Sequence, residues 1–239
     1  MKLQKLRLLV IKNTIKIALV GQPNVGKSML INSISNARLK VGNFSGVTVS
    51  KEQVFFDYKN FHIEIVDLPG AYSLNDYTIE EKVTKDFLNN EKYDIILNVL
   101  DSTNLQRNLL LTAELLTLDK KMIIALNMSD EAEKESILID EIQLSKILGK
   151  PCIKTSATKK NGITKLLDEI LLKFQSQKVP SKFFFSNVIE EEIENISRVL
   201  EENKYETTET YRQISLGLLK ENKNIYKQFH DEPIWIKIQ

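Results

Sequence analysis

The sequence predicts an α/β protein in which a doubly wound, mostly parallel six-stranded sheet is followed by a small all-α domain. Between residues 14 and 176, short β-rich apolar runs alternate with stretches of helical periodicity, as in parallel strands joined by helices. Residues 186–239 show helical periodicity alone. The 239 residues, 42% apolar and 27% charged, are typical of a globular chain that can bury one substantial core and a small second one.

Six runs are the strand candidates, and they comprise residues 15–20, 49–58, 61–67, 94–100, 122–127 and 152–156. The second and third are separated only by Lys59-Asn60, which predicts an antiparallel hairpin within the parallel sheet. The clearest helix covers residues 163–174, where apolar side chains recur along one face after the turn pair Asn161-Gly162.

The composition changes around Pro180. Residues 181–239 carry 8 basic and 11 acidic side chains, a net charge of −3, which leaves +4 for residues 1–180. An apolar stripe runs from Ile189 to Leu200, preceded by Asn187 and Glu190 at capping-box spacing. We therefore divide the chain into an N-terminal extension (1–13), an α/β domain (14–176), a linker (177–185) and a helical domain (186–239) that is not necessarily complete.

The overall charge excludes several classes of protein. A net charge of +1 provides no global field for nucleic acid or anionic membranes, so no nucleic-acid partner is expected. The lone Cys152 is typical of a buried thiol in a reducing compartment. The longest apolar runs have strand length, below the roughly 18 residues that span a bilayer, so we expect the chain itself to be soluble.

Residues 21–28 have the sequence Gly-Gln-Pro-Asn-Val-Gly-Lys-Ser and stand between a predicted strand and a helical run. This is the pattern of a phosphate-binding P-loop, whose backbone N–H groups face phosphate oxygens at a helix N-terminus. Lys27 is expected to reach the β- and γ-phosphates, and Ser28 to bind Mg²⁺. The alternative is an ordinary strand-to-helix turn. The predicted nucleotide contacts are Gly21, Gln22, Pro23, Asn24, Val25, Gly26, Lys27, Ser28 and Met29.

The sequence 127–130, Asn-Met-Ser-Asp, follows the strand candidate 122–127 and indicates which base is bound. Asp130 can accept hydrogen bonds from both N1–H and the exocyclic amine of guanine, a pair that adenine does not offer. Asn127 would hold the neighbouring loops together, with Met128 beside it. After the next strand, Ser156-Ala157 can present a backbone N–H to the guanine O6. Alone such a tetrapeptide usually marks a loop, but behind a P-loop it favours guanine over adenine.

Two further segments are expected to sense the γ-phosphate. Asp67-Leu68-Pro69-Gly70 ends a strand, so that Asp67 can hold the Mg²⁺ shell and Gly70 can turn its N–H toward the γ-phosphate. Alone it would be a Pro-Gly turn. Thr48 lies on a segment suited to completing Mg²⁺ coordination when a γ-phosphate is present. The predicted Mg²⁺ ligands are Ser28, Thr48 and Asp67, and Lys27, Thr48 and Gly70 are the catalytic candidates.

This set of residues resembles the translation-factor-related GTPases, and more narrowly the cytosolic G domain of the ferrous-iron transporter B (FeoB) family. Residues 41–49, 67–74 and 127–130 carry the narrower resemblance. The family usually has Pro where Ser45 stands, a departure that could loosen the switch. The resemblance covers residues 14–175. After Pro180 the chain is similar only in placement to the family's helical domain, which is like a guanine-nucleotide-dissociation inhibitor (GDI).

The resemblance implies a GTPase that uses K⁺ as well as Mg²⁺. In such proteins a P-loop Asn coordinates K⁺ beside the phosphates; here Asn24 matches, with Gly42 and Phe44 as backbone donors. Loop capping is the alternative role of Asn24. Ala71 stands where many small GTPases carry a water-positioning Gln, which predicts slow intrinsic hydrolysis, on the order of 10⁻³ s⁻¹.

The resemblance implies the regulatory domain of a ferrous-iron uptake system at the cytoplasmic face of the bacterial inner membrane. Its expected partners are GTP and GDP and a membrane iron-permease domain in the same or a separate chain, and homo-oligomerisation is left open. The alternative is a stand-alone ribosome-assembly or RNA-modification GTPase, which the acidic residues 181–239 disfavour. A P-loop kinase or ATPase does not explain Asp130.

Overall fold

The computed structural model describes residues 13–34, 38–44, 47–75, 77–177, 183–207, 209–230 and 232–238. Residues 1–12 of the predicted extension, Ser45 and most of the predicted linker lie outside these ranges. Over the described ranges the strands form one seven-stranded sheet, and they are β1 (Asn13–Gly21), β2 (Arg38–Asn43), β3 (Ser50–Tyr58), β4 (Phe61–Asp67), β5 (Ile95–Asp101), β6 (Met122–Asn127) and β7 (Cys152–Lys154).

The sheet has the strand order β2-β3-β4-β1-β5-β6-β7. Its parallel part runs from β4 to β7, and the predicted antiparallel hairpin of β3 and β4 is confirmed. The predicted number of six strands is wrong, because β2 adds an antiparallel edge strand beside β3. Its sequence, Arg-Leu-Lys-Val-Gly-Asn, lacks the apolar run of a central strand, and an edge strand does not need one.

Helices cover both faces of the sheet, which confirms the doubly wound arrangement. Because side chains alternate along a strand, Ile17 and Leu19 of β1 pack on one face and Ala18 and Val20 on the other. The helices that precede the C-terminal part of the chain are α1 (Lys27–Asn32), α2 (Ile79–Asn90), α3 (Leu105–Leu116), α4 (Ser129–Lys134), α5 (Glu141–Leu148) and α6 (Ile163–Gln175). Helices α1 and α6 cover the first face, and α2 and α3 cover the second.

The C-terminal helices have a separate small core. They are α7 (Asn187–Glu202), α8 (Tyr211–Leu219), α9 (Lys223–His230) and α10 (Trp235–Ile238), and they bury Leu200, Leu218 and Phe229 against one another. The capping box predicted at Asn187 and Glu190 is wrong. Ser186 is the N-cap, and the Glu190 carboxylate accepts instead from the Phe185 N–H and from Arg212.

Most of the predicted site residues, apart from Gly42, Phe44 and Thr48, gather where parallel strands end. The carboxyl ends of β1, β4, β6 and β7 lead into residues 21–28, 67–70, 127–130 and 155–157, respectively. Ligands of open α/β sheets bind at this edge. Within the described ranges, no helix combines the length and the apolar composition that crossing a bilayer requires.

Candidate nucleotide-binding site

The loop between β1 and α1 has the backbone that a phosphate loop needs. Gly26 is the N-cap of α1 with a φ of 83°, a left-handed conformation that favours glycine. A Cβ on Gly26 would also lie 2.5 Å from Nδ2 of Asn127. Asn24 has a φ of 66°, which Asn tolerates better than most side chains. The sequence of the loop is therefore matched to its conformation, independently of any ligand.

The charges of Lys27 and Asp67 interact with each other. The Lys27 ammonium donates to the Gly21 carbonyl over 3.4 Å, and burial lowers its pKa. Burial raises the pKa of the Asp67 carboxyl to about 6, although the positive charge of Lys27 opposes the shift. Oδ1 of Asp67 is buried and has no hydrogen-bond partner among the described residues. The unpartnered carboxylate oxygen of Asp67 and the hydroxyl of the exposed Ser28 are oxygen donors of the kind that Mg²⁺ prefers.

The segment after Asp67 packs against the phosphate loop. The Leu68 N–H donates to the Leu19 carbonyl (3.0 Å) and the Ala71 N–H to the Gly21 carbonyl (3.3 Å). A Cβ on Gly70 would lie 2.9 Å from the backbone nitrogen and Cα of Pro23, so a larger residue does not fit at this contact. These contacts place Leu68, Gly70 and Ala71 against the phosphate loop and the strand before it, while the roles of Asp67 at Mg²⁺ and of Gly70 at the γ-phosphate stay predictions.

Asn127 joins the loop between β1 and α1 to the loop that follows β7. Its Nδ2 donates to the Val25 carbonyl over 3.0 Å, while its Oδ1 accepts from the Thr155 hydroxyl and the Ala157 N–H, both at 3.3 Å. The side chain is buried, so these three bonds are shielded from water. Met128, which follows, has a φ of 57° and is the N-cap of α4. Asn127 thus has the connecting role that the sequence predicts.

Asp130 lies in the first turn of α4 and is 8% exposed. The neighbouring Ser156 side chain and the Lys159 ammonium hold its pKa below the ordinary value, although burial acts in the opposite direction. Oδ2 lies 3.4 Å from Nζ of Lys159, and Oδ1 is buried without a partner in the described part of the chain. A buried acceptor that is fixed at a helix start can accept from a planar pair of N–H donors.

The predicted switch residues near Thr48 lie in a different arrangement. Gly42 pairs with Lys51 inside the β2–β3 hairpin, and the Phe44 N–H donates to the Val49 carbonyl over 3.0 Å. The Phe44 carbonyl accepts from the Val47 N–H at 3.3 Å. Thr48 is exposed, and among the described residues no hydrogen bond joins it to the phosphate loop. The structure therefore groups the P-loop, Asp67, Gly70 and residues 127–130 and 155–157, and holds Gly42 and Phe44 in the β2–β3 hairpin.

Sequence reasoning named Gln22 as a nucleotide contact but missed Arg107, Glu81 and Lys159. Gln22 is buried and donates to the Arg107 carbonyl over 2.8 Å, and the Arg107 guanidinium lies 4.6 Å from the ring centre of Tyr72. The buried Glu81 carboxylate accepts from the backbone N–H groups of Ser73 and Tyr77. The Thr78-x-x-Glu81 spacing is a helix-start signal that could have located Glu81. No motif or spacing in the neighbouring sequence indicates a role for Lys159 or Arg107.

Comparison with known proteins identifies the family. The model described as "Ferrous iron transport protein B" (FeoB_N) matches residues 15–170. The chain therefore belongs to the FeoB family. The Fe(2+) transporter FeoB of Campylobacter jejuni is 53% identical over 176 residues, and that of Helicobacter pylori strain 26695 is 58% identical over 180 residues. These alignments cover 74% and 71% of this chain but only 29% and 28% of the two FeoB proteins.

Solved FeoB cytosolic domains confirm the fold, a P-loop GTPase fold plus a helical domain. The T. maritima domain in a GDP form superposes with a TM-score of 0.84 at 33% identity, covering 90% of this chain and 85% of that one. Its GMPPNP form gives 0.81 at 34% identity, covering 90% and 84%. The L. pneumophila FeoB cytosolic domain gives 0.78 at 36% identity, covering 94% and 88%. The family favours the iron-transport interpretation over an RNA-directed GTPase.

Proposed function

We propose that this chain is the GTP-binding and GTP-hydrolysing regulatory domain of a bacterial ferrous-iron uptake transporter. One observation carries the proposal. Asn127 connects a phosphate loop to a loop on which the buried Asp130 keeps an unpartnered acceptor oxygen. A buried carboxylate left without donors is costly, so it selects a base that offers two N–H groups.

Each group would contribute separately to catalysis. Backbone N–H groups of residues 21–28 would bind the phosphate oxygens, and Lys27 would place its charge at the β- and γ-phosphates. Lys27 must be in its charged ammonium form for this, and the negative charge of the bound triphosphate would itself favour that form. When bound, Mg²⁺ would supply further positive charge there, held by Ser28, Thr48 and Asp67. Gly70 would donate its N–H to the γ-phosphate.

Hydrolysis would be slow in the isolated chain. Ala71 is buried and its methyl group cannot orient a water molecule. Positioning of the nucleophile then depends on backbone groups of Gly70 and of the segment around Thr48. We expect an intrinsic rate on the order of 10⁻³ s⁻¹, as in GTPases that await an activating contact.

K⁺ is proposed as a second cation. Asn24 is exposed at the phosphate loop and could offer its side-chain oxygen, and the carbonyls of Gly42 and Phe44 would complete the shell. In the hairpin the Phe44 carbonyl accepts from the Val47 N–H, which leaves its second lone pair for the proposed K⁺. A monovalent cation beside the phosphates would stabilise charge on the leaving group.

The wider assignments depend on the family, because the chain spans less than a third of the length of the curated relatives. We propose that it works beside a membrane iron-permease domain at the cytoplasmic face of the inner membrane. We retain the domain division at 14–176, 177–185 and 186–239. Homo-oligomerisation is left open.

Calorimetric titration of the full chain with GTP, GDP and ATP in Mg²⁺ tests the base assignment. We expect binding of GTP and GDP and none of ATP. Asp130→Asn should weaken GTP and admit xanthosine triphosphate, because the amide then matches the xanthine edge. Equal affinity of the wild-type chain for ATP and GTP would refute guanine recognition.

Phosphate release in K⁺ or Na⁺ buffers tests the cation assignment. Asn24→Gly and Asn24→Asp both accept the left-handed backbone, but only Asp keeps a side-chain oxygen. We expect K⁺ to accelerate hydrolysis in the wild-type chain and in Asn24→Asp, and not in Asn24→Gly. Stimulation that survives in Asn24→Gly would contradict the assigned ligand.

A further inference from the structure

Lys159 lies at the base-reading carboxylate, a position that the proposed function does not use. Its Nζ is 3.4 Å from Oδ2 of Asp130. The Asp130 side chain is 9% exposed, whereas that of Lys159 is 52% exposed, so the pair lies at the mouth of the base subsite. Oδ1, the other oxygen, has no hydrogen-bond partner among the described residues.

The local backbone holds Lys159 beside this subsite. Ser156 and Asn161 exchange two backbone hydrogen bonds, of 3.0 and 3.1 Å, and so close a short loop. The Lys159 N–H donates to the Ser156 hydroxyl over 3.2 Å. The Cα of Lys159 is therefore fixed, while its long side chain can leave Asp130 by rotation about its own bonds.

The ammonium and a guanine base require the same acceptor. A guanine edge presents two N–H donors in a plane, and it needs both oxygens of the Asp130 carboxylate to accept them. When no base is bound, Lys159 supplies a positive donor to one of those oxygens, in addition to the Ser156 side chain. A buried carboxylate is costly without a partner, so this contact stabilises the nucleotide-free form of the site.

We propose that Lys159 competes with the guanine base for Asp130, and thereby lowers guanine nucleotide affinity and accelerates nucleotide release. The inference rests on the proposed guanine binding at Asp130. The contact is to the base subsite and not to the phosphates, so the effect is the same for di- and triphosphates. Because the Lys side chain is half-exposed, we expect a moderate effect, about threefold to tenfold in affinity.

The test compares Lys159→Gln with Lys160→Gln in the full chain. Both substitutions remove one positive charge from the same loop, and only Lys159 is paired with Asp130. Stopped-flow measurement with a fluorescent GDP analogue gives the release rate and the affinity. We expect Lys159→Gln to bind about threefold to tenfold more tightly with slower release, and Lys160→Gln to match the wild-type chain.

A second arm distinguishes competition from a general change of the loop. In Asp130→Asn the competing carboxylate is gone, and xanthosine diphosphate replaces GDP as the ligand. Adding Lys159→Gln to that variant should leave the affinity for xanthosine diphosphate unchanged. A change as large as the one measured with Asp130 present would overturn the proposal.

Three other results are decisive. Weaker GDP binding by Lys159→Gln would mean that Lys159 stabilises the bound guanine base instead of competing with it. Equal effects of Lys159→Gln and Lys160→Gln would mean that only the net charge of the loop affects GDP binding. Either result overturns the inference while the proposed function stands. A wild-type chain that binds no guanine nucleotide would refute the proposed function itself, and the inference with it.

Discussion

The amide nitrogen of Asn127 donates to the carbonyl oxygen of Val25 across 3.0 Å, although the two residues are 102 positions apart in the sequence. Val25 belongs to the phosphate loop, and Asn127 begins the base-reading loop. The Asn127 side chain also accepts from the N–H of Ala157, in the loop that follows β7. The proposed phosphate-binding and base-reading loops are therefore connected through one buried side chain.

Asn127→Ala should disconnect the three loops. It leaves the Val25 carbonyl and the Ala157 N–H without their partner, a loss of about 1–3 kcal/mol. We expect guanine nucleotide affinity to fall by about 10- to 100-fold, which equilibrium titration would measure. Asn60→Ala, at the exposed tip of the β3–β4 hairpin, is the matched control and should bind as the wild-type chain does. Unchanged affinity in Asn127→Ala would contradict the connecting role.

Gly70→Ala should destabilise the fold, because the new methyl group would lie 2.9 Å from the backbone of Pro23. We expect the free energy of unfolding to fall by about 1–3 kcal/mol, measured by denaturant titration without nucleotide. Gly42→Ala is the control, since a Cβ there meets no atom within 4 Å. Equal stability of the two variants would show that the contact between Gly70 and Pro23 relaxes freely.

The stability of the nucleotide-free chain should depend on Asp67. Its folded-state pKa of about 6 lies above the value of about 3.9 in an unfolded chain, so the folded state binds more protons in that interval. The free energy of unfolding should therefore fall as pH rises from about 4 to about 6, by at most about 3 kcal/mol. Asp67→Asn should lose this dependence.

The comparison requires a chelator and a matched variant. With EDTA present, Asp86→Asn removes an exposed carboxylate from α2 and should keep the pH dependence of the wild-type chain. If the free energy of unfolding has the same pH dependence in the wild-type chain and in Asp67→Asn between pH 4 and 7, burial does not disfavour the charged Asp67 carboxylate in the folded state.

Cys152 should be unreactive in the folded chain. It is 4% exposed, and burial raises the pKa of its thiol to about 11. The thiolate fraction at pH 8 is then about two orders of magnitude below that of a free cysteine. We expect alkylation by iodoacetamide to be slow in buffer and rapid in urea, followed by mass spectrometry. Fast labelling without urea would contradict this burial.

Arg212 should hold the helical domain together. Its guanidinium forms two hydrogen bonds with the Glu190 carboxylate, at 2.6 and 2.7 Å, and a third with the Phe183 carbonyl. Arg212→Ala should lower the free energy of unfolding by about 2 kcal/mol. Arg212→Lys should recover little of this loss, because a lysine ammonium lacks the planar guanidinium that binds both carboxylate oxygens. Arg198→Ala, an exposed residue of α7, is the control. Full restoration by Lys would show that charge alone suffices.

The parts of the site that the sequence predicts are local motifs. Residues 21–28 and 127–130 each combine a fixed spacing with a preceding apolar strand, so their position at one sheet edge follows from the fold. Strand β2 could not be predicted in this way, because its polar sequence is stabilised only by pairing with β3. Lys159 and Arg107 matter through contacts with side chains that are distant in sequence, for which a single sequence has no periodicity or spacing rule.

Phe44 is held at both ends by the hairpin, through its N–H and its carbonyl, and its ring lies 6.2 Å from that of Phe87 in α2. The ring is nearly buried and belongs to the core that β1, α2 and α3 share. If the Phe44 carbonyl serves as a ligand of the proposed K⁺, the ion would bind next to a residue whose ring belongs to this core. Binding of the proposed K⁺ would therefore be linked to the packing of Phe44 at the end of the β2–β3 hairpin, so that the cation site and the core on this face of the sheet would share one residue.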